Sequence, residues 1–462
     1  MRVTTSSFAI TALVVAVGSS PAAAQPADAP SATRPAPPTP TPSPSPAPPA
    51  PPVADPADDP AARAAQLADL ADAVEDLQGE NEDLRSEVDD LRERVAASRP
   101  PTSPNALNPQ ITAFLNGAAR FDDQPVYTPG GERIDDRLFM RTLELDFRAA
   151  VDPFADAVAT LALENELGEG WGADLEEGYV VVKRLPIVEA APLGLKLKLG
   201  RYRAPFGLAN RIHMHDLPWS TRPLPISRFL GNEHGELFEG GWNPVGADAE
   251  VILPTIVDGA VIEVNADIVD GGDVAWSGAD PEAHRHLGYL GHGNLFFTVA
   301  DAHDVNLGVS AYAERGARPS RLFGVDLLYK WKPIAAGEFH SVVLGGEFMW
   351  GDRRFARDGD AADAPTGHTT PWAAYGFGQV QLSWHAYLGA RFDIAQDPAD
   401  DRLTTQVAAG YLSYYTSEFL RFRLGYEHRW SDLPTDDGID SAIAEINVVF
   451  GAHPTEPYWV NR

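Results

Sequence analysis

Two groups of residues in this chain have types and spacings suited to chemistry. His213, His215 and Asp216 fall within four positions, and His234 follows in the same long segment. Imidazole nitrogens beside a carboxylate form a donor set that zinc or nickel prefers. The grouping predicts a weak divalent-metal site made from these four residues. His284, His286 and His292 flank the next long segment. Histidines without a fixed ligand spacing also read as ordinary polar surface, and both readings stand at this point.

The second group is electrostatic. Lys196 and Lys198 alternate with leucines in LKLKLG, and Arg421 and Arg423 do the same in FLRFRLG. Two-residue spacing puts each pair on one face of a strand. Asp216, Glu233, Glu236 and Glu239 fall in the long segment 204–244. Set across water from the basic pairs, these acids would create a transverse field that selects and orients small polar solutes. A solvated lining without discrimination is the competing reading. Catalysis is not expected. No G-x-S-x-G or H-E-x-x-H arrangement occurs, and Ser383 and His385 meet at a tight turn rather than in a pocket.

What must position these residues is a set of strands. Between residues 111 and 450 the chain breaks into about sixteen stretches of alternating apolar and polar residues. In LFMRTLELDFRA, Phe139, Leu143, Leu145 and Phe147 share one face, and Thr142, Glu144, Asp146 and Arg148 the other. Arg141 interrupts the apolar face, which suits a place near lipid headgroups. A basic residue facing lipid at mid-bilayer costs roughly 2–4 kcal/mol, so the charged faces must look into a wet lumen. Links alternate long (near 122–137, 168–177, 204–244, 270–284, 351–371 and 431–440) with short (near 151–156, 187–194, 255–259 and 416–418, among others). The pattern predicts an all-β fold, a transmembrane antiparallel up-and-down β-barrel of about 16 strands with both ends in the periplasm. A β-sandwich or propeller would bury one face of most strands and tolerate few such charges.

The barrel is preceded by other elements. Residues 1–24 read as a signal peptide, with Arg2, an apolar core over 8–17 and Ala22, Ala23 and Ala24 before the cut. That core is too short to span a bilayer, and no other stretch suits a transmembrane helix. Residues 25–60 are a Pro/Ala-rich linker, extended and semi-rigid, with a reach of about 100 Å. Residues 61–98 carry heptads with Val74, Asn81 and Val88 at a positions and Leu70, Leu77, Leu84 and Leu91 at d positions. This α-helical coiled coil in the periplasm predicts a homo-oligomer, either a dimer by peptide rules or a trimer imposed by the barrels. A linker (99–110) leads to the barrel, and a tail (451–462) follows it.

Composition narrows the partners. The chain has no cysteine, which excludes a disulfide framework and thiolate metal sites. Sixty-six acidic against 36 basic residues give a formal charge of −30, which argues against nucleic acid. No cofactor is expected beyond divalent cations held loosely by the acidic outer loops, as at Asp135, Asp136, Asp358 and Asp360. The expected surroundings are outer-membrane lipid and lipopolysaccharide, with the coil able to reach peptidoglycan as a tether.

From GRYRAPFG through the long segment, the chain resembles the Gram-negative outer-membrane porins, and that stretch is similar to the phosphate-selective O/P group. The resemblance implies a passive channel for small ions or polar solutes, narrowed by its third extracellular loop, here the longest. That group is noted for an arginine ladder and a lysine cluster. Arg421, Arg423, Lys196 and Lys198 are the candidates, and a full ladder is absent. Porins end on an aromatic residue of the last strand. Either Phe450, or Tyr458 and Trp459 in the tail, could take that part. A zinc-uptake channel with histidine-rich outer loops is the alternative, and an outer membrane–cell wall tether is another. An energy-coupled receptor would need about 22 strands and a plug domain.

Overall fold

The computed structural model describes residues 109–460, apart from 127–132, 134–137, 167–169, 186, 188–189, 232–240, 256, 258, 272–275, 277–285, 301, 316–318, 334–339, 357–365, 433–437 and 452–458. The signal, the linkers before residue 109 and the coiled-coil positions Leu70, Val74, Leu77, Asn81, Leu84, Val88 and Leu91 lie outside the described residues.

Alternation sends successive side chains to opposite faces, and here it builds one continuous antiparallel wall. Its first strands are β1 (Gln110–Asp122), β2 (Leu138–Ala150), β3 (Ala155–Glu166), β4 (Gly170–Val182), β5 (Lys196–Arg201) and β6 (Val245–Leu253). The middle of the wall is β7 (Ala260–Asp270), β8 (Leu287–Val299), β9 (His303–Glu314), β10 (Arg321–Trp331), β11 (Val342–Ala356) and β12 (Thr366–Thr369). The last strands are β13 (Trp372–Gln381), β14 (Ala386–Gln396), β15 (Thr404–Ser417), β16 (Leu420–Ser431) and β17 (Ile439–Gly451). β1 pairs with β17 from Thr112↔Gly451 to Asp122↔Ser441, which closes the wall into a barrel.

β12 pairs with one end of β11, and β13 pairs with the rest of it. The two share one place in the wall, interrupted at Pro371, which has no N–H to give to the ladder. Seventeen strands thus occupy sixteen wall positions, as the alternation predicts. No helix among the described residues is long and apolar enough to cross a membrane. A closed barrel satisfies its backbone internally and needs none.

The two faces differ in kind. On β10, Phe323, Val325 and Leu327 are exposed on the outside, while Leu322, Asp326 and Leu328 are buried inside. Leu388 and Phe392 on β14 and Phe422 and Leu424 on β16 continue the outer apolar band. Stacked pairs such as Phe323–Trp350 and Phe348–Trp372 join neighbouring strands on it. A band of this extent is suited to hydrocarbon rather than water.

Three places depart from strict alternation. Asn116 pairs with Thr142 but Gly117 pairs with Met140, so Arg141 is an extra residue in a β-bulge. The bulge turns Arg141 and Phe139 inward, where both are buried, and leaves Met140 outside. Arg141 therefore does not sit among headgroups, and Phe139 does not share the face of Leu143. On β4, Thr160 pairs with Glu177 and Leu161 with Leu175, so Glu176 is bulged and both glutamates face inward. The expected long link at 168–177 is instead strand from Gly170 onward. Its period is masked by glycines and by two adjacent acids. The third irregularity, between Tyr415 and Ser417, lies at the β15–β16 turn.

The largest departure from a hollow lumen is the segment between β5 and β6, called loop 3 below. Of residues 202–231, only Leu208, Arg211, Ile212, His213, Asp216 and Arg228 keep appreciable exposure. Phe206, Met214, Leu217, Trp219, Leu224 and Phe229 pack against inward wall residues that include Tyr312, Leu322, Met349, Tyr375 and Phe377. Each side chain buried in this way contributes roughly 1.5–3 kcal/mol. The core of this protein therefore lies inside the barrel.

Candidate functional site

Loop 3 leaves the wall at Tyr202, whose hydroxyl donates to Asp267 Oδ1 at 2.9 Å. Gly207 then passes β11 with φ +64°, and a Cβ there would collide with the Glu347 carboxylate. Only glycine combines that backbone with so close an approach. Just beyond it, the Ala209 N–H donates to Glu347 Oε1 at 2.6 Å, and the Tyr375 hydroxyl donates to the same oxygen at 2.7 Å. Asn210 donates to the carbonyls of Ala204 and Trp242 and accepts from the Trp242 N–H, joining the outgoing and returning limbs. Arg222 donates to the carbonyls of Ala209 and Ile212.

The far wall holds the loop with arginines. Arg423 donates to the carbonyls of Leu217 and Trp219, both at 2.6 Å, and pairs with Glu445 at 3.2 Å. Arg391 donates to the Thr221 carbonyl at 2.6 Å and lies over the Trp219 ring. Asp393 pairs with Arg391 at 2.9 Å and accepts from the Leu224 N–H at 3.2 Å. Thr221 also donates its hydroxyl to Glu427. Loop 3 is thus tied to β7, β11, β14 and β16, on opposite sides of the barrel.

Near β2 and β4 the loop brings charge together. His215 Nδ1 lies 3.0 Å from Glu144 Oε1, and His213 Nδ1 lies 3.3 Å from Glu144 Oε2. The second ring nitrogen of His213 faces Glu177 at 3.1 Å, and that of His215 faces Asp216 at 3.5 Å. Arg203 pairs with Glu176 at 3.3 Å. The two bulges help here: one re-registers β2 beside Glu144, and the other turns Glu176 and Glu177 to the same side. Burial and Arg203 push the His213 pKa down, yet Glu144, Glu176 and Glu177 together hold it well above its ordinary value. Burial likewise opposes the charged form of His215, but Glu144 and Asp216 raise its pKa.

The residues singled out from sequence are placed as follows. Lys196 pairs with Glu250 at 2.6 Å, and the Lys198 ammonium lies 5.2 Å from the ring centres of Tyr179 and Tyr202. Arg421 and Arg423 both pair with Glu445. β5 and β16 stand six wall positions apart (β16, β17, β1, β2, β3, β4, β5), so the lysines and arginines do not form one basic wall. What faces Arg423 across the lumen is the backbone carbonyls of Leu217 and Trp219, not an acidic side chain. Among the described residues, the inward carboxylates Asp248, Asp267, Asp326 and Glu347 line β6, β7, β10 and β11. Glu233, Glu236, Glu239, His234 and His284 lie outside the described residues.

The structure brings His213, His215 and Asp216 close to one another. It also adds Glu144, Glu176 and Glu177, which sequence reasoning did not select. Glu144 could have been found, since its alternation already placed it on the inner face. His292 is elsewhere, with Nδ1 2.9 Å from the Ser310 hydroxyl. In the tail, Trp459 is buried, and its indole N–H donates to the Asp216 carbonyl at 2.7 Å.

No protein-family model matches the chain. An uncharacterised protein of Aquifex aeolicus is 34% identical over 88 residues, which are 19% of this chain and 16% of that one. The chain therefore spans about a sixth of this relative's length. Among solved structures, OprB of Pseudomonas putida is 10% identical and aligns over 74% of this chain and 94% of its own, with a TM-score of 0.49. The anion-selective porin of Comamonas acidovorans is 9% identical over 74% and 99% of the two chains, with a TM-score of 0.48. The outer-membrane channel DcaP of Acinetobacter baumannii is 10% identical over 74% and 97%, with a TM-score of 0.45. At such scores these likenesses carry no functional argument, and the chemistry rests on the barrel itself.

Proposed function

We propose that this chain is an outer-membrane porin of a Gram-negative bacterium, passing small ions by diffusion past a constriction made by loop 3. The observation that carries this reading is a loop anchored on opposite walls that keeps its charged edge in contact with water. Arg211 faces Glu263 at 3.3 Å, with 36% and 24% of their side chains exposed. The Lys196–Glu250 pair, 48% and 18% exposed, borders water on the strands beside them. His213 and Asp216 complete this edge.

The polarity supports cations. On β14 and β16 the arginines are buried and spent on Asp393, Glu445 and loop carbonyls, so little positive field reaches water. On β6 and β7 the carboxylates Glu250 and Glu263 are partly solvated beside Lys196 and Arg211, and Asp216 adds a third partly exposed carboxylate, so acids outnumber these two bases along the edge. Assembly into a homo-oligomer in contact with lipopolysaccharide belongs to the same reading.

Planar-bilayer recording in a potassium chloride gradient tests it. Discrete, small conductance steps with a cation preference are expected, and Glu250→Gln with Glu263→Gln should weaken the preference. Silence of the folded protein defeats the channel reading, and an unchanged reversal potential in the double variant defeats this assignment of selectivity.

A further inference from the structure

The cluster beneath loop 3 has a feature that conduction does not use. The Nδ1 atoms of His213 and His215 converge on the two oxygens of Glu144, and these ligand atoms lie within 4.8 Å of one another. Donors at about 2.0 Å from a tetrahedral zinc ion stand roughly 3.3 Å apart. Here His215 Nδ1 stands 3.0 Å from Glu144 Oε1 and His213 Nδ1 stands 3.3 Å from Glu144 Oε2, so the carboxylate would meet the ion with both oxygens or the side chains would close in by about 1 Å on binding. Glu144 Oε2 is fully buried and accepts no well-aligned hydrogen bond, although it points into the cluster.

We propose that Glu144, His213 and His215 form a binding site for one divalent transition-metal ion of the zinc type, clipping loop 3 to strand β2.

The outer surroundings fit such an ion. A histidine that binds metal through one nitrogen is usually oriented by a carboxylate on the other. Glu177 stands 3.1 Å from His213 Nε2, and Asp216 stands 3.5 Å from His215 Nε2. Phe114 stacks on the His215 ring with centroids 4.0 Å apart, which fixes the plane of that ligand. Charge points the same way. Glu144, Glu176, Glu177 and Asp216 place four carboxylates around the two rings, against one guanidinium from Arg203. With both rings neutral, as ligands must be, a dication takes the place of the two ring protons in offsetting this excess.

Glu176 Oε2, 3.2 Å from His213 Nδ1, is placed to supply the fourth ligand. Arg203 Nη2 lies 3.2 Å from the same nitrogen, and it would keep its pairing with Glu176 when the metal takes His213. Two imidazoles select against calcium and magnesium, which prefer all-oxygen shells. Asp216 and His213 retain exposure, so an ion can reach the site from the lumen water. Of the four residues grouped by sequence, His213 and His215 are ligands and Asp216 orients one of them.

The inference rests on the barrel and its folded-in loop, not on conduction, so the two readings fail separately. The full chain, purified in detergent and stripped with a chelator, is titrated with zinc chloride by calorimetry. One ion per chain is expected, with affinity at least about tenfold weaker in His215→Ala and lost in His213→Ala with His215→Ala. The variants must retain heat-modifiable mobility as folded barrels. If they do not, cobalt added to the wild-type protein gives a second readout, the visible d–d absorption of a tetrahedral site with nitrogen ligands. A Glu177→Gln variant should bind zinc more weakly while leaving that band in place. Heat no greater than that of the double variant, or no d–d band in folded wild-type protein, would mean an ion-pair network only and would overturn the site.

Discussion

Arg423 donates to the carbonyl of Trp219 at 2.6 Å, so a wall strand grips a loop 204 residues away in sequence. Its second amino group grips Leu217 in the same way. A buried hydrogen bond from a charged donor contributes about 1.5–3 kcal/mol, and the Glu445 carboxylate would lose one of its partners with it. Arg423→Met keeps much of the length and apolar volume but removes every one of these contacts. The thermal midpoint in detergent should fall, and single-channel conductance should rise and become noisier as loop 3 loosens. A conductance equal to wild type would show that loop 3 holds its place without this anchor.

Gly207 passes Glu347 at positive φ, and no other residue suits both conditions. Gly207→Val should cost about 1–3 kcal/mol in backbone strain, and it also breaks the seat of the Ala209 N–H on Glu347. Trypsin should then cut after Arg211 and Arg228 faster than in the wild-type protein, while the barrel remains folded in detergent. Equal resistance to trypsin would place the hinge of loop 3 elsewhere.

The barrel was legible because lipid outside and water inside impose a period of two that runs along every strand. LKLKLG and FLRFRLG display it openly, and the structure keeps Lys196, Lys198, Arg421 and Arg423 on the inner face. Bulges were not legible. Nothing local in FMRT marks Arg141 as the extra residue, since its inward turn depends on meeting Glu445 from the far end of the chain. Glu176 and Glu177 read as a loop because two adjacent acids break alternation, which is the effect of a bulge. The nearness of His213, His215 and Asp216 could be read from their spacing, whereas Glu144 joins them only through the path of loop 3. That path depends on contacts with Glu347, Asp393 and Arg423, whose partners lie well over a hundred residues away. The extent of the burial was missed too, because Trp219, Phe229 and Trp242 carry no periodic signal outside a strand.

Lys196 is half-exposed and pairs with Glu250, so reversing it changes the field at the water edge without removing packing. Two charges about 8 Å apart in water interact by roughly 0.5 kcal/mol, and replacing +1 by −1 changes this by roughly 1 kcal/mol, which corresponds to about a fivefold change in relative permeability. Lys196→Glu should therefore shift the reversal potential toward cations by that factor in a salt gradient, most clearly at low ionic strength. Lys198 lies over two tyrosine rings, and Lys198→Glu should cost more stability for its shift. A Lys196→Glu channel with the wild-type reversal potential would remove this edge from the ion path.

Trp459 connects the tail to both loop and wall. Its indole donates to the Asp216 carbonyl, and its own carbonyl accepts from the Gln379 side chain at 2.9 Å. An aromatic residue bonded inside the lumen is poorly placed to serve as an assembly signal, whereas Phe450 is exposed on the outer face of β17. Trp459→Ala should thus assemble into the membrane at the wild-type level, yet lose about 3–5 kcal/mol of core packing and one tie on loop 3. Its conductance should rise. Phe450→Ala should do the reverse, lowering the amount of folded barrel in outer-membrane fractions while leaving single-channel steps unchanged. A loss of assembled protein in Trp459→Ala, with normal conductance in the barrels that remain, would return the tail to the assembly machinery and take it out of the pore.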